Sequence, residues 1–148
     1  MTRKILLICN PGFEGSDNYA QQVYNVRSMY KDFFLSPAGG GYLSGEIIEY
    51  VAGINHANDE TLLSFKILEV DDAEYSVIVF IGHGRFDGND RIQLPSGVEW
   101  PIDSFYITKK PQSKLKRTVI IDSCRVETEN HYPQILNEGF DSRAQDNL

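Results

Sequence analysis

Apolar residues fall in short blocks separated by polar turns, and two periodicities alternate along the chain. Residues 4–9, Lys-Ile-Leu-Leu-Ile-Cys, form a compact run stopped by Asn10-Pro11-Gly12. A continuous apolar run with a turn signal behind it predicts a strand buried on both faces, as in a parallel sheet. From Asp17 the period changes. Tyr19, Val23, Val26, Tyr30 and Phe33 recur at steps of three and four and predict a helix with one apolar stripe, capped by Ser16 or Asp17. The Gly-rich segment 36–41 ends it. Leu43, Ile47, Ile48 and Val51 predict a second, shorter helix ending near Gly53, and residues 61–70 predict a third. Residues 75–81 and 118–121 are rich in β-branched side chains and predict core strands. Residues 91–94 and 98–100 flank Pro95-Ser96-Gly97 and predict a small hairpin. Residues 102–107 read as a short helix or an extended segment.

Strands alternating with helical stripes predict an α/β fold, a three-layer α/β/α sandwich around a mostly parallel sheet. The strand and helix signals occupy residues 1–125, and residues 126–148 read as a polar tail or linker. A chain of 148 residues fits one such domain. The longest apolar runs, 5–9 and 77–81, are far below the roughly 20 residues of a bilayer span, which argues against a membrane role. Asp and Glu number 21 against 14 Lys and Arg, a net charge of −7, so the chain lacks the positive field that a nucleic-acid backbone demands. The one basic cluster, Lys114-Leu115-Lys116-Arg117, leads straight into a predicted strand. Two cysteines without a signal peptide point to a reducing, cytoplasmic compartment. The histidines are scattered, so no cofactor or metal is expected. Asp87-Gly88-Asn89-Asp90 is too short for a calcium loop and reads as a turn.

In parallel α/β sheets ligands sit outside the carboxyl ends of the strands. Three such ends carry Asn10, His83 and Cys124. Cys124 follows His83 by 41 residues, room for a crossover to a neighbouring parallel strand. A cysteine attacks a carbonyl as the thiolate and therefore needs a nearby base, which His83 would supply. The backbone amides of Gly84 and Cys124 could then face the developing oxyanion.

Ser76-Val77-Ile78-Val79-Phe80-Ile81-Gly82-His83-Gly84, followed by Thr118-Val119-Ile120-Ile121-Asp122-Ser123-Cys124-Arg125, resembles the caspase, metacaspase and bacterial orthocaspase clan of cysteine peptidases. The likeness covers the large-subunit core. It implies Cys124 as nucleophile, His83 as base, and Gly84 and Cys124 as oxyanion donors. Asp122 matches the metacaspase and orthocaspase pattern, in which that carboxylate lines a pocket for Arg or Lys. Caspases place an arginine at the end of the first strand to bind aspartate, and this chain has Asn10 there. The resemblance thus implies a cysteine endopeptidase of peptide or protein substrates, cleaving after Arg or Lys rather than Asp. It also implies a partner, a small-subunit chain or a dimer mate. No glycine follows the cysteine closely, Cys124-Arg125 leading into Val126-Glu127-Thr128. That leaves open an inactive, regulatory or scaffolding module of the same fold. A flavodoxin-like ligand binder is a third reading, for which the chain carries no fingerprint.

Overall fold

The computed structural model of the chain describes residues 1–12, 17–53, 58–86, 90–94, 98–124 and 131–137. Strand β1 (Arg3–Cys9) lies between β2 (Ile47–Val51) and β3 (Tyr75–Phe86) and pairs in parallel with both. It is covered on both faces and both edges: Ile5 to Cys9 are fully buried, and the charged Arg3 and Lys4 stand at its partly exposed start. β6 (Arg117–Cys124) pairs in parallel with the other edge of β3. β7 (His131–Asn137) closes the row antiparallel to β6. The row therefore runs β2-β1-β3-β6-β7. The end of β3 also carries an antiparallel branch, β4 (Asp90–Gln93) and β5 (Glu99–Pro101).

Helices cover both faces of the sheet. On one face, Val23 and Phe34 of α1 (Asp17–Leu35) pack on Ile5, Leu7, Val77, Val79 and Ile81. On the other, Leu63, Ile67 and Val70 of α2 (Asp59–Val70) pack on Leu6, Ile8, Ile78, Phe80, Val119 and Ile121. Each such side chain taken wholly out of water contributes about 1.5–3 kcal/mol. The fold is the expected α/β/α sandwich; its main row is mostly parallel, as expected, and the branch β4 and β5 makes the sheet as a whole mixed. Among the described residues, no helix is long and apolar enough to cross a membrane.

Three local expectations are corrected, and a fourth is settled between its two alternatives. The helix predicted over 43–51 is one 3-10 turn, Ser44–Glu46, followed by strand β2. Leu43, Ile47, Ile48 and Val51 mimic a helical stripe, but every residue of β2 pairs in register with β1. The polar segment after residue 125 contains β7. The stripe of α1 ends on buried Phe34, and Phe33 is left 51% exposed, as the 3.6-residue period after Tyr30 requires. Residues Ile102–Tyr106 form a 3-10 helix that buries Ile102 and Phe105 against Trp100 and Phe80.

The Gly-rich segment after α1 is a helix stop. The Ser36 hydroxyl accepts from the Gly39 amide, and Gly40 takes a left-handed φ of 108° that glycine adopts without strain. The Arg3 guanidinium donates to the carbonyls of Gly40 and Gly41 and lies over the Tyr42 ring. A second tie joins β2 to α2, where buried Asp59 accepts from the Tyr50 hydroxyl and the Gly53 amide. At the amino end of β6, Lys114 and Lys116 of the basic cluster are exposed, whereas Arg117 enters a buried network. Arg117 donates to Ser76, to the carbonyls of Phe105 and Ile107, and to Asp71 at 3.2 Å. Asp71 also accepts from the Thr108 hydroxyl and the Lys109 amide.

Candidate active site

Registers place the expected residues. His83 is the Cα partner of Cys124 across β3 and β6, so the two lie side by side on adjacent parallel strands, about 4.8 Å apart by ordinary strand spacing. One strand further, Cys124 is the Cα partner of His131. A row His83–Cys124–His131 thus crosses three neighbouring strands at the carboxyl end of the sheet. His131 had no sequence signal, because the segment around it reads as polar tail.

The predicted strand 75–81 is longer than its apolar run, and His83 lies within it. β3 continues through His83 to Phe86, and Gly84 is a buried strand residue in register with Ile92 of β4. β4 continues the lane of β1, since Gln93 at its end meets Asn10 just beyond β1. Gly82 is required by closeness. A Cβ there would come within 3.0 Å of both the Asn10 Cβ and the Phe80 ring. His83 is half-buried, and its imidazole stacks on the Tyr19 ring of α1, with centroids 4.2 Å apart and planes 8° from parallel.

Asn10 is 2% exposed, and its amide is committed to backbone. Nδ2 donates to the Gln93 carbonyl at 2.6 Å, and Oδ1 accepts from the Gly12 amide at 3.0 Å. Its own amide donates to the Ile81 carbonyl. Asn10 therefore braces the loop after β1 against β3 and β4.

Asp122 stands two residues before Cys124 and pairs in register with Ile81. Its carboxylate is on the α1 face, 5% exposed, and accepts from the Tyr30 hydroxyl at 2.8 Å. Burial first, and then the charge of Asp122, push the Tyr30 hydroxyl far above its ordinary value, so it remains a donor. His83 and Asp122 thus share one face of the sheet, each held by an α1 tyrosine. Nothing in the spacing of Tyr19 and Tyr30 beyond a core stripe pointed to these contacts.

Cys9 ends β1 on the same face but is wholly buried. Burial pushes its thiol up to about 11, against the opposing pull of Arg27. Ser123 is the other neighbour of Cys124 in this strand. Its hydroxyl is buried with no hydrogen-bond partner among the described residues. An unsatisfied buried hydroxyl costs stability. Ser123→Ala is therefore expected to be neutral or to raise the urea unfolding free energy by up to about 1 kcal/mol. No cluster of metal-ligating side chains occurs among the described residues. Asp87 to Asn89 and Arg125 lie outside the described residues.

No protein-family model matches the chain, and no curated protein matches it. Solved structures do. The crystal structure of the Drosophila initiator caspase Dronc is similar over 81% of this chain and 54% of its own, with 12% identity and a TM-score of 0.47. The present chain therefore spans about half the length of that protein.

Proposed function

We propose that the chain is the core of a caspase-like cysteine endopeptidase in which Cys124 is the nucleophile and His83 the base. The observation that carries this reading is the register pairing of His83 with Cys124 on adjacent parallel strands, at the end of the sheet where α/β proteins bind ligands. In the proposed reaction the Cys124 thiolate adds to the scissile carbonyl. His83 then protonates the departing amine, and water hydrolyses the thioester. The amides of Gly84 and Cys124 would receive the oxyanion. Asp122 would attract the cationic side chain of an Arg or Lys before the scissile bond, which disfavours Asp there. Asn10 would serve the pocket by holding its wall. A small-subunit chain or a second copy would complete the groove, and the protein would act in the cytoplasm.

The test is hydrolysis of fluorogenic peptides ending in Arg, Lys or Asp. The Arg and Lys probes should be cleaved fastest, and Cys124→Ala should lower kcat/KM at least about 10³-fold. Equal rates for the two proteins would refute the proposal. A second reading, a regulatory module of the same fold without peptidase activity, is favoured by one observation. β7 pairs along β6 as far as Cys124 and fills the strand edge beside it. Under that reading Cys124→Ala changes neither hydrolysis nor partner binding.

A further inference from the structure

We propose that Tyr19 is a positioning residue for His83, holding the imidazole in one plane and favouring its protonated form. The catalytic meaning of this contact rests on the dyad reading above, but the contact itself does not. The two rings lie 4.2 Å apart and within 8° of parallel, the closest and flattest of the described aromatic pairs. The outer torsion of a histidine is broad and roughly two-fold, so an imidazole without a facing surface has no preferred plane. A general base must present one chosen nitrogen to its partner. A flat aromatic face selects that plane, and the stack covers the face of the imidazole rather than the edges that carry its nitrogens.

Tyr19 is itself well anchored. It occupies the first turn of α1, whose Val23 and Phe34 are buried against the sheet. Gly12 packs beside the ring, where a Cβ would touch Cδ1 at 3.5 Å. The electron-rich ring face also attracts a cation lying over it. The amino terminus of a helix carries partial positive charge, which opposes an imidazolium and favours a thiolate. The Tyr19 face offsets that opposition at the one group that must accept a proton. Among the described residues, the titratable and charged groups on this face include Tyr19, Arg27 and Tyr30 from α1, Cys9 from β1 and Asp122 from β6, and register adds Cys124 of β6 and His131 of β7. The stack is a contact with His83 that a single α1 substitution removes.

The experiment follows the imidazole Cε1–H resonance of His83 against pH by NMR in the full chain, assigned by its loss in His83→Gln. Cys124 alkylation at neutral pH is read in parallel, with Cys9 as the internal reference. Tyr19→Phe keeps the aromatic face and should leave both readouts as they are. Tyr19→Leu removes it and should lower the His83 pKa by about half a unit and slow Cys124 alkylation. Tyr19→Gln repeats the comparison with a different side chain should the leucine variant fold poorly. A lowered His83 pKa with a Cys124 that is inert even in the unsubstituted chain upholds the stack and removes the dyad. An unchanged His83 titration in the folded leucine or glutamine variant overturns the inference. So does a tyrosine-to-phenylalanine change that shifts it as far as leucine does.

Discussion

Arg117→Met is expected to lower the unfolding free energy by about 3–5 kcal/mol, because it leaves a buried charge without its partner. The Arg117 and Asp71 side chains are 0% and 5% exposed, and their N–O distance is 3.2 Å. Arg117 also donates to Ser76 and to two carbonyls, of Phe105 and Ile107. Removing it takes a donor from Ser76 in β3, from the carbonyls of Phe105 and Ile107, and from Asp71 just after α2. Most of the effect arises from what is left unpaired, so the paired change Arg117→Met with Asp71→Asn should recover part of the loss. Urea unfolding of the two variants measures both numbers.

The same network sets an acid limit. Burial alone would raise the Asp71 carboxyl, but the Lys109 amide, the Thr108 hydroxyl and Arg117 outweigh it and hold the carboxyl below its ordinary 3.8. A carboxyl depressed in the folded state stabilises the fold above its unfolded value and loses that contribution as pH falls through the folded one. The Asp71 contribution is therefore constant from neutral pH down to about 4 and is lost below it. In Asp71→Asn that part of the acid dependence should be absent.

The second large effect is on activity. His83→Gln should lower kcat/KM on an Arg-ended peptide by about 10²–10⁴, the contribution of a positioned general base, with KM nearly unchanged. Glutamine keeps a polar planar group beneath Tyr19, so the fold should survive. An equal loss in KM would mean that His83 binds substrate rather than moving a proton. A rate within a factor of two of the unsubstituted protein would remove His83 from the reaction.

Much of this architecture was legible in the chain, and the exceptions have physical causes. β1, β3 and β6 are covered on both faces and therefore carry continuous apolar runs, a signal that survives without any structure. α1 and α2 announce themselves by one stripe each. β2 was misread because five residues of Ile, Glu, Tyr and Val fit either period over so short a span. β7 contains Pro133 and polar residues, which argue against a central strand and are tolerated in one that closes a sheet row. Of the candidate site, the strand-end residues could be listed, and their pairing inferred from a crossover of suitable length. The contacts that give them their setting could not. Tyr19 with His83, Tyr30 with Asp122 and Asp71 with Arg117 are each joined only by the folded chain. Asn10 was placed correctly at a strand end, but its commitment to Gln93 and Gly12 depends on where β4 lies, which no local pattern encodes.

The dyad is tested most directly by alkylating the folded chain across a pH series and following each cysteine by mass spectrometry. Cys9, buried and pushed up to about 11, should stay unmodified through neutral pH. Cys124 should react with a midpoint well below the free-thiol value of about 8.5, and His83→Gln should return that midpoint to the ordinary range. A Cys124 that titrates at or above the free-thiol value, with no response to His83→Gln, would contradict the account.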